Sequence, residues 1–303
     1  MDGILPLWKE RGMTSHDSVF KVRKILKMKK VGHTGTLDPN VDGVLPICLG
    51  KATKLVELLM DKTKVYTGEI TLGFATTTED LDGDVIAEKV LPSAFTDTEI
   101  QKMMDELTGH IVQIPPMFSA IKVKGKRLYE YAREGIEVER PEHPVFVHSF
   151  KLMGTSRFVE GKQVFAFEVT CGKGTYVRTL ASDLGKKLGV PATMTSLTRK
   201  ASTPFSRGDC LTLSDLAKAV EVEDYSWLVP IESAMSAYPE WHLPIEDKNL
   251  VKLVENGSVL EVNTLPPSLR SQLPVTAYID GKLKALYDVH PSKDGKIKPS
   301  KMF

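Results

Sequence analysis

The aspartate at position 38 is the side chain whose surroundings best suit chemistry. It lies in residues 32–43, a run so dense in Gly, Asp, Asn and Pro that neither regular helix nor a central strand is expected there. A carboxylate with an ordinary pKa near ~3.9 is ionised at neutral pH and can act as a nucleophile. An Asp-Pro pair in a loop is also a common turn former, so Asp38 alone does not establish catalysis.

Several other catalytic and ligand-binding motifs are absent. The glycines around Thr34 lack the Lys-Ser or Lys-Thr of a phosphate-binding loop, so no nucleotide cofactor is expected. The acidic run at residues 80–84 lacks the Gly and Glu of a calcium loop and favours a polar turn between strands. The histidines form no zinc motif, and Gly-x-Ser-x-Gly is missing. We therefore expect no metal and no serine hydrolase.

Length and composition indicate a soluble globular protein of about two domains. No apolar stretch approaches the ~18 residues that span a bilayer, so we expect a cytoplasmic protein without a membrane partner. The widely spaced Cys48, Cys171 and Cys210 favour reduced, buried thiols over disulfides or a metal site.

Charge is balanced overall but uneven along the chain. Residues 1–54 carry ten Lys and Arg against five acidic residues, whereas the whole chain has 40 against 39. This local excess is suited to binding phosphates, although a solvated helix face would have the same composition.

The elements that must position Asp38 suggest an α+β fold on a mixed or antiparallel sheet. Thr14 or Ser15 can cap a helix in which Val19 and Val22 recur at helical spacing beside a lysine face, directly before the loop. Alternation predicts strands at residues 66–73, 145–152 and 164–170.

Two further junctions and a boundary complete the prediction. A basic Gly turn at residues 122–127 precedes a helix at 128–134. A strand ends near residue 171, and the helix predicted at 176–188 places Tyr176 and Arg178 at its start. From about residue 240 the sequence consists of short strand-like runs with several prolines, and Asp-Gly at 280–281 signals a hairpin. We therefore expect a small all-β domain at 240–303 after a catalytic domain at 1–239.

The run at residues 31–39 and the Gly-Val-Leu-Pro at 43–46 resemble the catalytic segment of the bacterial tRNA pseudouridine-55 synthases, the TruB family. Further family-like segments follow in the same order, at residues 12–17, 64–66, 76–80, 115–120, 128–133 and 174–179. The similarity covers about residues 3–200, and the region after 240 is similar, more weakly, to the family's PUA-like β domain.

The resemblance implies a pseudouridine-synthase fold and the isomerisation of uridine 55 in the tRNA T-loop, without a cofactor. It implies that Asp38 is the nucleophile and that the Arg178 cation orients this carboxylate. Tyr66 would present an aromatic face and a hydroxyl to the uracil. Tyr176 and Leu197 would line the same pocket, and His33 would fill the gap that the flipped uridine leaves. The partner would be the T-arm and elbow of tRNA, bound by a monomer.

The chain departs from the family in two places. Lys9-Glu10-Arg11-Gly12 stands where Lys-Pro-x-Gly is usual, and Asp42 stands where Ser or Thr is common. The extra carboxylate is expected to raise the pKa of Asp38 by repulsion.

Two other functions remain open at this stage. A non-catalytic RNA-binding protein would use the same basic surface. A sugar-processing enzyme would use Asp38 and Asp42 as a carboxylate pair, but that function leaves the basic helix and turn unexplained.

Overall fold

The computed structural model describes residues 1–303, which form a mixed α/β structure with two sizeable sheets. The strands are β1 Gly3–Lys9, β2 Val31–His33, β3 Asp42–Leu49, β4 Lys64–Leu72, β5 Phe74–Thr76, β6 Val85–Glu88, β7 Gly109–Gln113, β8 Lys122–Val123, β9 Lys126–Arg127, β10 His143–Val159, β11 Lys162–Cys171, β12 Ala192–Ser202, β13 Phe205–Ser206, β14 Glu240–His242, β15 Leu260–Glu261, β16 Val275–Ile279, β17 Lys282–Val289 and β18 Lys296–Met302. The helices are α1 Ser15–Leu26, α2 Val56–Met60, α3 Asp97–Asp105, α4 Leu128–Arg133, α5 Val177–Leu188, α6 Leu213–Glu221, α7 Ile231–Met235 and α8 Lys248–Glu255.

The larger sheet has the order β1-β3-β12-β4-β11-β10-β7, with β2 paired to β3 and β13 to β12. All its pairings are antiparallel except β3 with β12. In this register Gly43 lies opposite Arg199, and Arg199 lies opposite Tyr66. The centre of the sheet therefore joins three segments that are far apart in the sequence.

Helix α1 begins as its sequence predicts. Thr14 is the N-cap, its hydroxyl accepts from the Asp17 N–H at 3.0 Å, and the Asp17 carboxylate accepts from the Thr14 N–H at 2.9 Å. This reciprocal pair satisfies two N–H groups at the helix start. Val19 and Val22 face the core.

Helix α5 starts immediately after Tyr176 and buries Val177, Leu180 and Leu184. It ends at Gly189, whose φ of 72° is a left-handed conformation that glycine adopts at little cost. Helix α5 packs on β12 and carries Arg178 in its first turn.

Three clusters make up the core. The largest lies between the main sheet and its helices and includes Phe150 and Phe167, whose rings meet edge to face at 5.6 Å. A second cluster packs Ile4 and Val44 of the first sheet against Tyr278 of the second. The two sheets are therefore joined by a shared apolar interface.

The second sheet begins at Glu240 and has the order β14-β16-β17-β18-β15. Asp280 and Gly281 form the predicted hairpin turn between β16 and β17, with φ of 49° and 67°. The expectation of strands alone for this region omitted α8. That helix, Lys248–Glu255, is capped by the Asp247 side chain and is only eight residues long, so its helical periodicity is short.

The loop of Asp38 is shorter than residues 32–43. Gly32 and His33 belong to β2, and Asp42 and Gly43 open β3, because β2 and β3 pair as antiparallel neighbours. A Cβ atom on Gly43 would lie 2.3 Å from the carbonyl oxygen of Arg199, so glycine is required there.

Three further expectations can be compared with the structure. The cysteines are free, but only Cys48 and Cys171 are buried, and Cys210 is partly exposed. The acidic run at residues 80–84 is a turn between β5 and β6. No helix has the length and apolar character that a bilayer crossing requires.

Candidate active site

The loop that carries Asp38 is fixed from one side by helix α1. The Ser15 hydroxyl accepts from the Leu37 N–H at 2.8 Å and donates to the Leu37 carbonyl at 3.3 Å. Ser15 is buried, so these bonds hold the backbone directly before Asp38 in a dry setting.

Lys9 fixes the loop on the other side of Asp38. The side chain is 0% exposed, and its Nζ donates to the carbonyls of Val41 at 2.6 Å and Pro39 at 3.2 Å. Burial lowers the pKa of Lys9 to about 8, partly opposed by the charges of Asp42 and Asp38. Sequence analysis noted Lys9 only as the start of an atypical segment, and nothing local shows that it reaches residues 39–41.

Arg178 lies beside Asp38 in the folded chain. Its Nε is 3.3 Å from Oδ2 of Asp38, and its Nη1 is 3.3 Å from Oδ2 of Asp80. The same guanidinium donates to the carbonyls of Thr78 at 3.1 Å and Phe118 at 3.2 Å. The Arg178 side chain is 8% exposed while that of Asp38 is 40% exposed, so the carboxylate, not the cation, faces solvent and incoming ligands.

Sequence analysis did not assign Asp80 to the site. Oδ1 of Asp80 accepts from the Thr78 hydroxyl at 2.5 Å and from the Asp82 N–H at 3.0 Å, which leaves Oδ2 for Arg178. The available signals were its place in the acidic run, which alone indicates a turn, and in the family-like segment at residues 76–80, to which no role was given. Arg178, the partner of Asp80, is nearly a hundred residues away in the sequence.

The pKa of Asp38 is raised above its ordinary value. Burial is the largest cause, Arg178 opposes it, and the carboxylates of Asp80 and Asp82 add to it. We expected Asp42 to raise the pKa of Asp38, but Asp42 is not among the main causes of the shift. Asp42 instead pairs with Arg11 at 3.5 Å and accepts from the Thr198 hydroxyl at 2.6 Å.

Two tyrosines lie close enough to Asp38 for its charge to raise their pKa values. For Tyr66 and Tyr176 alike, burial is the main cause of a raised phenol pKa. Both hydroxyls are therefore protonated at neutral pH. Leu197 is buried on β12 opposite Gly68, two cross-strand pairs along from Tyr66.

His33 lies in a groove beside the loop with Thr36, the start of α1, and the hairpin formed by β8 and β9. The other residues that line this groove are Thr14, Ser15, His16, Ala120, Lys122 and Arg127. Burial, followed by the charge of Arg199, lowers the pKa of His33, so its ring is uncharged at neutral pH. Of the basic turn at 122–127, Lys122 and Arg127 face the groove.

A second basic cleft lies between the end of α1, the segment after β3 and the last strand. Five cations line it with a single carboxylate, Glu57; they are Arg23, Lys29, Lys30, Lys54 and Lys301. Lys301 bonds to Glu57 at 2.7 Å, which links the last strand of the second sheet to helix α2. No group of three or more His, Cys, Asp or Glu side chains is arranged to hold a metal.

We predict that Asp82→Asn lowers the pKa of Asp38. Removing a neighbouring negative charge makes the ionised carboxylate easier to form, so its titration moves to lower pH. Carbon NMR of labelled aspartate, with Asp38→Asn to identify the signal, measures this shift. Asp84→Asn, in the same turn, serves as the control and should leave the titration of Asp38 in place. An unchanged pKa in Asp82→Asn would contradict the electrostatic account.

Family models match most of the chain. The "TruB family pseudouridylate synthase (N terminal domain)" matches residues 23–177, and the "tRNA pseudouridylate synthase B C-terminal domain" matches 178–236. The second match ends before the second sheet begins.

Curated relatives agree over the full length. The chain is 49% identical to tRNA pseudouridine synthase B of Bacillus pumilus, over 100% of the chain and 97% of the relative. It is 52% identical to the protein of the same name from Ligilactobacillus salivarius, over 97% and 96%.

Solved structures show the same fold. The structure of a Cbf5-Nop10-Gar1 complex matches with a TM-score of 0.72 and 26% identity, over 99% of this chain and 84% of that chain. An archaeal box H/ACA sRNP Nop10-Cbf5 complex matches with a TM-score of 0.67 and 23% identity, over 99% and 85%, and shows the fold alone. The chain therefore belongs to the TruB family of pseudouridylate synthases, and it is an isomerase that forms pseudouridine.

Proposed function

We propose that the protein converts uridine 55 in the T-loop of tRNA to pseudouridine, with Asp38 as the nucleophile on a flipped-out uridine. The observation that carries this proposal is the partly exposed Asp38 carboxylate, held against the buried Arg178 guanidinium at 3.3 Å beside a basic groove. The tRNA substrate is taken from the names of the relatives.

The reaction breaks the bond between C1′ and N1, turns the base, and joins C5 to C1′. C5 loses its proton and N1 gains one, so the product is an isomer of the substrate. The reaction consumes no water and changes no oxidation state. It needs a charged nucleophile, and partial burial works against the charge by raising the pKa of Asp38. Arg178 opposes this rise and orients the carboxylate, and Asp80 in turn holds Arg178.

Two aromatic residues and a leucine would hold the uracil. Tyr66 offers a ring for stacking and a protonated hydroxyl near Asp38. In this proposal that hydroxyl assists removal of the C5 proton, and Tyr176 and Leu197 close the pocket around the base. Tyr176 lies close to Asp38, and Leu197 lies on the strand paired with that of Tyr66, which supports these roles.

His33 would take the space that the uridine leaves in the T-loop. It lies in the groove next to the loop of Asp38, and its lowered pKa keeps the ring uncharged, which suits stacking between bases. Flipping a base costs a few kcal/mol, which such stacking can offset.

The basic groove and the basic cleft lie at opposite ends of α1, whose 12 residues span about 18 Å. A tRNA arm that enters the groove with its loop could therefore place stem phosphates in the cleft. We assign catalysis to residues 1–239 and part of the tRNA grip to residues 240–303, which contribute Lys301 to the cleft.

Asp38→Asn should abolish pseudouridine formation and leave tRNA affinity largely intact, because the shape and the phosphate contacts remain. Asp42→Asn is the matched control, since Asp42 is directed at Arg11 and Thr198, and it should stay active. Derivatisation of pseudouridine in treated tRNA measures both. Turnover by Asp38→Asn would refute the nucleophile. Loss in both variants would favour a carboxylate pair, and an inactive wild type would favour an RNA-binding protein.

His33→Ala should slow the reaction on a structured T-loop by tenfold or more, since ~1.4 kcal/mol of lost stacking corresponds to about tenfold. The effect should be small on an RNA whose loop is already open. Single-turnover rates on a native stem-loop and on a loop-disrupted analogue test this. Equal losses on the two RNAs would show that His33 acts in chemistry or in loop folding.

Lys30→Ala and Lys301→Ala should each weaken binding of full tRNA and reduce the slope of log affinity against log salt by about 0.7 to 0.9 per lost phosphate contact. Lys296→Ala, whose side chain pairs with Glu261 outside the cleft, is the control. Titrations at several salt concentrations measure the slopes. Unchanged slopes in both cleft variants would remove the cleft from the proposed interface.

A further inference from the structure

Arg199 is a buried cation that has no role in the mechanism described above. Arg199 is 1% exposed, and no carboxylate lies within ion-pair distance of its guanidinium. A buried charge without a counter-ion is costly unless hydrogen bonds compensate it. The acceptors that surround Arg199 therefore indicate what this charge is for.

Two of these acceptors belong to the segment around Asp38. Nε of Arg199 donates to the carbonyl of Val44 at 2.6 Å, and Nη2 donates to the carbonyl of Gly35 at 3.2 Å. Gly35 precedes Asp38 by three residues and Val44 follows it by six. One guanidinium thus ties both ends of the loop together.

The third neighbour is Tyr66. Arg199 on β12 and Tyr66 on β4 are directly opposite in the antiparallel register, so their side chains lie on the same face of the sheet. The charge of Arg199 acts on the Tyr66 hydroxyl and opposes the rise that burial causes in the phenol pKa. The guanidinium therefore has the segment around Asp38 on one side and Tyr66 on the other.

We propose that Arg199 is a positioning residue that fixes the Tyr66 hydroxyl relative to the loop carrying Asp38. A guanidinium presents five N–H donors in a planar fork, so it can serve acceptors in three directions. The other buried cations do not make this link. Lys9 donates to the carbonyls of residues 10, 39 and 41, and Lys64 to those of residues 60 and 62.

This inference rests on the proposed function, because it gives the Tyr66 hydroxyl a task in the reaction. It adds that the placement of this hydroxyl depends on Arg199. If so, a change at Arg199 should matter mainly while the hydroxyl is present. A purely structural arginine would matter equally with and without it.

The test is a double-mutant cycle of Arg199→Lys and Tyr66→Phe, read as the single-turnover rate on saturating T-arm stem-loop. Lysine keeps the charge but loses the fork. We expect Arg199→Lys to slow the wild type by about tenfold or more and the Tyr66→Phe variant by no more than about twofold. Arg157 is exposed and pairs with Glu69, which lies on the same strand as Tyr66. Arg157→Lys should therefore change neither rate.

Two outcomes would overturn the inference. Equal losses in the two backgrounds would show that Arg199 acts through the loop or the fold alone. A Tyr66→Phe variant as fast as wild type would show that the hydroxyl has no task. Either result leaves the nucleophile intact, since only turnover by Asp38→Asn removes the proposed function itself.

A second measurement leaves Arg199 unchanged, in case Arg199→Lys does not fold. In nitrogen-labelled protein, a guanidinium bonded inside the core should give slowly exchanging side-chain N–H signals. Tyr66→Phe should shift one such set and speed its exchange, because one acceptor is lost. If no slowly exchanging arginine signal responds to Tyr66→Phe, the link between the two residues is absent.

Discussion

The need to keep one carboxylate charged inside a recess governs the site. Burial raises the pKa of Asp38, and the nearby acids Asp80 and Asp82 raise it further. Arg178 is the cation that opposes both, and it is itself held by Asp80 and by backbone carbonyls. Because the guanidinium is more deeply buried than the carboxylate, the charge of Asp38 is stabilised from behind while its other side stays open to solvent.

Leu37 and Val41 anchor the loop of Asp38 in the core, and buried polar groups hold its backbone. Ser15 holds the residue before Asp38, Lys9 holds residues 39 and 41, and Arg199 joins the two ends. Each donates to backbone carbonyls in a dry setting, where hydrogen bonds are strong and their loss is costly. The proposed nucleophile is thus held in place by the fold itself, as the proposed reaction requires.

The sheet order explains why these groups meet. Strand β12 lies between β3, which follows the loop, and β4, which carries Tyr66, so Arg199 has a neighbour from the site on each side. Helix α5 packs on β12 and brings Arg178 in its first turn. The apolar interface of Ile4 and Val44 with Tyr278 then connects this centre to the second sheet.

The sequence by itself determined the local elements. It placed the cap of α1 at Thr14 or Ser15, the start of α5 within one residue and the turn at Asp280-Gly281, because caps, periodicity and turn residues act over a few positions. The resemblance to the family also named Asp38 and Arg178, which the fold places side by side.

Only the tertiary structure decided the partners. Nothing in the sequence assigned Asp80, Lys9 or Arg199 to the site, and the carboxylate expected from the sequence to perturb Asp38 was Asp42, which pairs with Arg11. Charges act through space at a few ångströms, and the strand order that brings residues 9, 38, 80 and 199 to that distance depends on long-range pairing. No spacing along the chain records it.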